Sequence, residues 1–173
     1  VFGFSVSLMF VILIAAYVAK ELSADRHHVN GDRIYRFEHQ DFAYSAYAAG
    51  RVLQDRFPEI ESYCVVSYEN KTLRIGEEYM QVAVDCVDSF FHMFTIELEQ
   101  GDPRHVLATR DGVVISSKFA KTLFGEESPM GKVLDIDDRQ LTVTGVFADF
   151  PYGIFRTPQL ITSIFNTDNL WCI

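Results

Sequence analysis

Phosphate binding is the first chemistry that residue types and spacing bring to mind, at Gly125-Glu126-Glu127-Ser128-Pro129-Met130-Gly131-Lys132. In a nucleotide loop, glycine N–H groups and a lysine would hold the phosphates. This run departs from that pattern three times. Five residues separate the glycines instead of four, Val133 stands in the Ser/Thr position, and the order is helix–turn–strand instead of strand–loop–helix. A structural turn is the expectation.

Metal chemistry would need three or four converging ligands with a supporting shell. His27 and His28 lie near Asp25, and His39 lies near Glu38 and Asp41. Neighbours in a helix point their rings in different directions, so these histidines are expected to be solvated. His92 and His105 have no paired carboxylate pattern. The acids Asp135, Asp137 and Asp138 lack the central glycine and distal glutamate of a calcium loop and read as a hairpin tip. No serine sits in a Gly-x-Ser-x-Gly elbow, and no cysteine has a histidine placed by motif. The three cysteines, Cys64, Cys86 and Cys172, are too few and scattered for a disulfide scaffold or a zinc site. Cys64 and Cys86 would pair only on neighbouring strands; otherwise they are small apolar fillers. The expectation is therefore no catalytic residue, no cofactor site and no metal site.

Composition excludes a further class. The formal net charge is −9, and no Lys/Arg run offers a phosphate-backbone footprint. Aromatic residues make up 14% of the chain, which points to a filled core rather than disorder.

The elements begin with Val1 to Ala19, VFGFSVSLMFVILIAAYVA, which carries no charge. About 20 such residues, at ~1.5 Å each, cross the ~30 Å hydrocarbon layer of a bilayer as a helix. Tyr17 and Lys20 fall where an interfacial anchor belongs. A cleaved signal peptide and a buried core helix are the competing readings. The first wants a basic leader and alternating small residues before its cut, and the second a polar face or a shorter run. Residues 20–32 follow as a polar stalk, expected to continue the helix and stop near Asn30-Gly31. Its lack of a basic excess fits a non-cytoplasmic flank.

Residues 33–173 read as α+β, in one domain or in two small lobes sharing a core. Arg33 to His39 alternates like a half-buried strand. Phe42, Ala46, Ala49, Leu53 and Phe57 recur like a helix, ended by Pro58. Ile60 to Tyr68 is β-rich, and Lys71 to Ile75 with Tyr79 to Val84 makes a hairpin about Gly76-Glu77. Asp88 or Ser89 caps a short helix through Phe90 and Phe94, and Gly101-Asp102-Pro103 breaks the chain. Gly112 to Ile115 is a buried strand. Ser116 caps a helix with Phe119, Ala120, Leu123 and Phe124 inward, and Gly125 closes it. Val133 to Ile136 and Leu141 to Gly145 pair about Asp137-Asp138, and Phe150-Pro151 ends the second strand. Gln159 to Ile173 is mixed strand-like and loop-like.

One long stretch resembles a known family. GVVISSKFAKTLFGEESPMGKVL (Gly112 to Leu134) and LTVTGVFADFP (Leu141 to Pro151) are similar to the extracytoplasmic core domain of MacB/FtsX-type ABC transporter permeases. That family shows a strand, a Ser-x-x-x-Ala-x-x-Leu-Phe-Gly helix, a Pro-x-Gly-Lys turn, then Val-x-Gly-Val and Asp-x-Pro. The leading helix, Asn30 to Arg36, Phe57-Pro58-Glu59 and Asp88 to Phe94 fit in order. After Pro151 the chain departs, with Tyr152 to Arg156 in place of a Ser-His segment. It also stops before later membrane helices, as a fragment or a short member would.

The resemblance implies a non-enzymatic role and a mixed, two-lobed extracytoplasmic domain, with an inserted outer lobe at about 71–144. It implies a bacterial inner-membrane permease, acting as a dimer with a cytoplasmic ATPase subunit that binds the ATP. The outer domain would couple helix movement to substrate export or extraction, or to mechanical signalling toward a periplasmic or outer-membrane partner. The alternative is a single-pass, membrane-tethered sensor or ligand-binding domain, and an anchored hydrolase is a more remote one.

Overall fold

The computed structural model describes residues 2–21, 28–38, 45–46, 48–148, 158–163 and 171–172. Helix α1 (Phe2–Glu21) forms over the uncharged leader. Its Gly3–Lys20 stretch has a mean hydropathy of 1.9 and is long and apolar enough to cross a membrane. None of that stretch is buried in the protein, so the core-helix alternative falls. A core helix hides its apolar surface, whereas Phe10, Ile12 and Ile14 are all more than half exposed.

Beyond the helix the fold is a small closed barrel. β2 (Val65–Ile75) and β3 (Glu78–Asp88) form a long antiparallel hairpin. Gly76 supplies the positive φ, 63°, at the first central residue of its two-residue turn. β8 (Leu160–Ser163) lies parallel to β3 and antiparallel to β5 (Gly112–Ser116). β5 runs parallel to β7 (Arg139–Phe147), which pairs with β6 (Val133–Ile136), and β6 returns to β2. The ring β7-β5-β8-β3-β2-β6 is thereby complete, and β4 (Leu98–Gln100) is added outside β7. Closure removes the exposed strand edges that an open sheet would carry.

Strand alternation produces two apolar clusters. Leu73, Val82, Val84, Cys86, Val113, Ile115, Leu134, Ile136, Leu141, Val143 and Leu160 fill one. Helix α4 (Ser117–Phe124) packs Phe119 and Ala120 into it. The intervening Val66, Val87, Val114, Phe147 and Ile161 point to the other face and join Phe90 and Val106. Phe90 comes from α3 (Phe90–Met93). β5 is buried at every residue because both of its faces are covered.

Several expected elements shift. Gly31–Arg33 is a 3-10 turn, and residues 34–38 form no strand; Tyr35 is 85% exposed, so alternation there buries no face. Helix α2 (Ala49–Arg56) is shorter than its periodic pattern, since Ala46 lies in β1 (Ser45–Ala46), paired with β9 (Trp171–Cys172). The strand expected at Ile60 to Tyr68 begins at Val65 and runs unbroken to Ile75. The lobe boundaries expected near 71 and 144 fall inside β2 and β7, whose strands on either side share one sheet. The stalk residues 22–27, and Phe150-Pro151, lie outside the described residues.

Candidate functional site

The residues that looked most like chemistry are occupied in building turns. In the Gly125–Lys132 run, Gly125 and Gly131 take φ of 61° and 75°. The Lys132 ammonium bonds the Glu127 carboxylate at 2.8 Å and lies 5.9 Å from the Phe124 ring centroid. That lysine holds Glu127 below the usual carboxylate range. Gly131 N–H donates to the Val143 carbonyl, and Val143 N–H donates to the Lys132 carbonyl, both at 2.8 Å. The turn is thus stitched to β7, as expected of a structural turn.

Asp137 and Asp138 form the β6–β7 turn, with φ of 48° and 61°. An Asp137 carboxylate oxygen accepts from Thr72 N–H at 2.9 Å, and Lys71 reaches Asp137 and Glu69 at 3.3 and 2.6 Å. Partial burial opposes the Lys71 charge, but the two carboxylates outweigh it and raise its pKa. Below this pair lies a cavity of about 30 Å³, lined by Lys71, Val84, Ile136, Asp137, Arg139, Leu141 and Thr162. That is room for about one water, against ~300 Å³ or more for a small-molecule pocket.

The histidines do not converge. His28 packs edge-on against Phe94, with centroids 5.3 Å apart. His105 Nδ1 lies 2.8 Å from an Asp102 carboxylate oxygen. His92 is exposed on α3. Asp25, His27, His39 and Asp41 lie outside the described residues. Among the described residues, no group of three or more His, Cys, Asp and Glu is placed to hold a metal ion. Cys86 lies in the barrel interior and Cys64 packs against the second cluster, so the two do not pair with each other. Burial pushes the Cys86 thiol up to about 12.

A constellation that sequence reading passed over sits where β4, β5 and β7 meet. The Asp102 carboxylate accepts from Arg104 N–H at 3.0 Å and from the His105 ring. Those bonds, together with Arg104's guanidinium, bring the Asp102 carboxyl down to about 2. The turn swings Val106 inward, where it is 2% exposed. Val106 fills the space that side chains at Gly101 and Gly145 would occupy: a Cβ at either would lie 2.7 or 2.8 Å from Val106 Cγ1. The Thr144 hydroxyl donates to the Val106 carbonyl, at the residue that β7 bulges out of register with β5. The Val-x-Gly-Val signal therefore marks a packing seat. Its partner, Val106, lies about forty residues away in sequence, and so left no local signature.

The fold and this site together define a helix-led β-barrel domain whose distinctive residues shape caps, turns and close approaches. The chain belongs to the MacB-like periplasmic core domain family, whose model matches residues 1–170. It is similar to a domain of a protein described as a permease from Porphyromonas gingivalis, with 21% identity and a TM-score of 0.57 over 72% of this chain and 59% of that one. It is also similar to the extracellular domain of the noncanonic ABC-type transporter YknZ from Gram-positive bacteria, with 18% identity and a TM-score of 0.54 over 69% and 63%. The periplasmic region of MacB from Actinobacillus actinomycetemcomitans matches at 21% identity and a TM-score of 0.48, over 60% and 48%. The chain thus spans about half to three-fifths of the length of these structures. No curated protein is significantly similar.

Proposed function

We propose that this chain is the first membrane helix and the extracytoplasmic domain of a MacB/FtsX-like ABC transporter permease. The observation that carries the reading is the family match over residues 1–170, which takes in the exposed apolar helix and the barrel together. In this role a cytoplasmic ATPase subunit binds and hydrolyses ATP, and two permease copies move with it. The domain itself performs no bond chemistry. It handles cargo or relays movement outside the bacterial inner membrane, with a periplasmic or outer-membrane partner. A rigid connection between membrane helix and domain would carry a rigid-body tilt outward.

The test is co-expression of the intact natural protein with the ATPase encoded beside it, followed by reconstitution. Co-purification and ATP hydrolysis that depends on the permease are expected. A proline at Leu22 or Ser23 should uncouple transport from ATP turnover while the barrel keeps its thermal midpoint. An intact gene that instead carries a kinase or methyl-accepting region after one membrane helix would overturn this in favour of the tethered sensor.

A further inference from the structure

The segment that follows the membrane helix is fastened to the barrel at a point where one titratable ring makes the bond. Thr95 N–H donates to His28 Nδ1 at 3.2 Å, and Val29 N–H donates to the Thr95 hydroxyl at 3.0 Å. The His28 ring also rests edge-on against Phe94, which in turn packs against Phe90 with ring centroids 4.9 Å apart. Phe90 is a member of the second apolar cluster. Strand-external residues 28 and 29 are thereby tied, through two hydrogen bonds and an aromatic stack, to the corner between α3 and β4.

An imidazole nitrogen that accepts an N–H bond must carry its lone pair, so the ring is neutral with its proton on Nε2. Protonation makes Nδ1 a donor, and two donors then face each other across 3.2 Å. We propose that His28 and Thr95 form a pH-sensitive clasp between the segment after the membrane helix and the α3–β4 corner. The clasp is closed at neutral pH and released on acidification. In sequence, the titratable and charged groups flanking the contact are Asp25, Arg26, His27, Asp32 and Arg33 on one side, and Asp88, His92, Glu97 and Glu99 on the other. Arg33 forms an ion pair with Glu61, with both side chains mostly exposed. Exposed pairs of this kind are weak, so this one does little to hold the segment when the clasp opens. The inference needs only this contact and stands independently of the transport reading.

Amide exchange at Thr95 reads the clasp directly, in the full chain held in detergent or nanodiscs. With intrinsic exchange corrected at each pH, protection at Thr95 should fall severalfold between pH 7.5 and 5.5 as the His28 ring gains its second proton. His28→Asn puts an amide oxygen near the Nδ1 position that cannot be protonated there; it should stay protected at both pH values. His28→Phe keeps an aromatic contact without the acceptor, and should be unprotected at both. His92→Asn should behave as wild type. The inference is overturned if His28→Asn shows the same fall as wild type, if His28→Phe remains protected at pH 7.5, or if His92→Asn abolishes the fall.

Discussion

Gly145 is a position where one methyl group decides stability. An added Cβ would meet Val106 Cγ1 at 2.8 Å and the Gln100 carbonyl at 3.2 Å, and overpacking of that kind costs about 1–3 kcal/mol. Gly145→Ala should lower the denaturant midpoint accordingly. Val106→Ala opens room in the same place, so the double variant should be more stable than the sum of the two losses predicts, which a double-mutant cycle would measure. Asp102 holds the turn that delivers Val106, and its pH dependence has a definite sign. Its folded pKa of about 2 lies below the ordinary 3.8, so its contribution is complete above about pH 4 and is lost as pH falls toward 2. Asp102→Asn should be less stable than wild type at neutral pH, with the gap closing between pH 4 and 2 in parallel unfolding titrations. The acid alone was visible in the sequence. Its function as a turn-former for a buried valine was not, because the residues it serves lie on β4, β5 and β7.

Helix α4 and the β6–β7 hairpin are the elements that local signals described best. Ser116 accepts from Phe119 N–H at 3.2 Å, and Gly125 closes the helix with φ of 61°, so cap, apolar face and stop all agree with the sequence pattern. Ser116→Ala should cost about 1 kcal/mol, read as a lower thermal midpoint with the fold retained. Asp138 sits at φ of 61° in a turn whose second central position favours glycine. Asp138→Gly should raise the midpoint, while Asp137→Gly should not, because Asp137 also accepts the Thr72 N–H bond. What local signals missed was long-range pairing. Leu160 to Ser163 looks like a scrap of apolar chain, yet β8 fills the central slot between β3 and β5. Nothing within four residues says that its partners lie about 50 to 75 positions earlier. The opposite error came at Arg33 to His39, where strand alternation occurs without a sheet neighbour among the described residues to reward it.

At the scale of the molecule, the apolar helix and the acidic barrel make opposite demands on solvent. The helix surface from Phe4 to Val18 is exposed, and its stability in water would require burying that surface against something apolar, which a bilayer supplies. Most of the chain's charge, whose formal net balance is −9, lies beyond the helix, and charged groups are costly to take out of water. The two parts therefore belong on either side of one interface. If the helix is a retained anchor, the membrane fraction should contain the chain at full mass; a cleaved leader would leave a product shorter by about the first nineteen residues in the soluble fraction. The β2–β3 hairpin tip reports the side. Glu77 is exposed beside Gly76, so Glu77→Cys should react with a membrane-impermeant maleimide in intact spheroplasts, well above the wild-type background. Cys86 will not contribute to that background, since burial keeps its thiol protonated. Labelling only after lysis would place the barrel in the cytoplasm, and an extracytoplasmic permease domain would then be untenable.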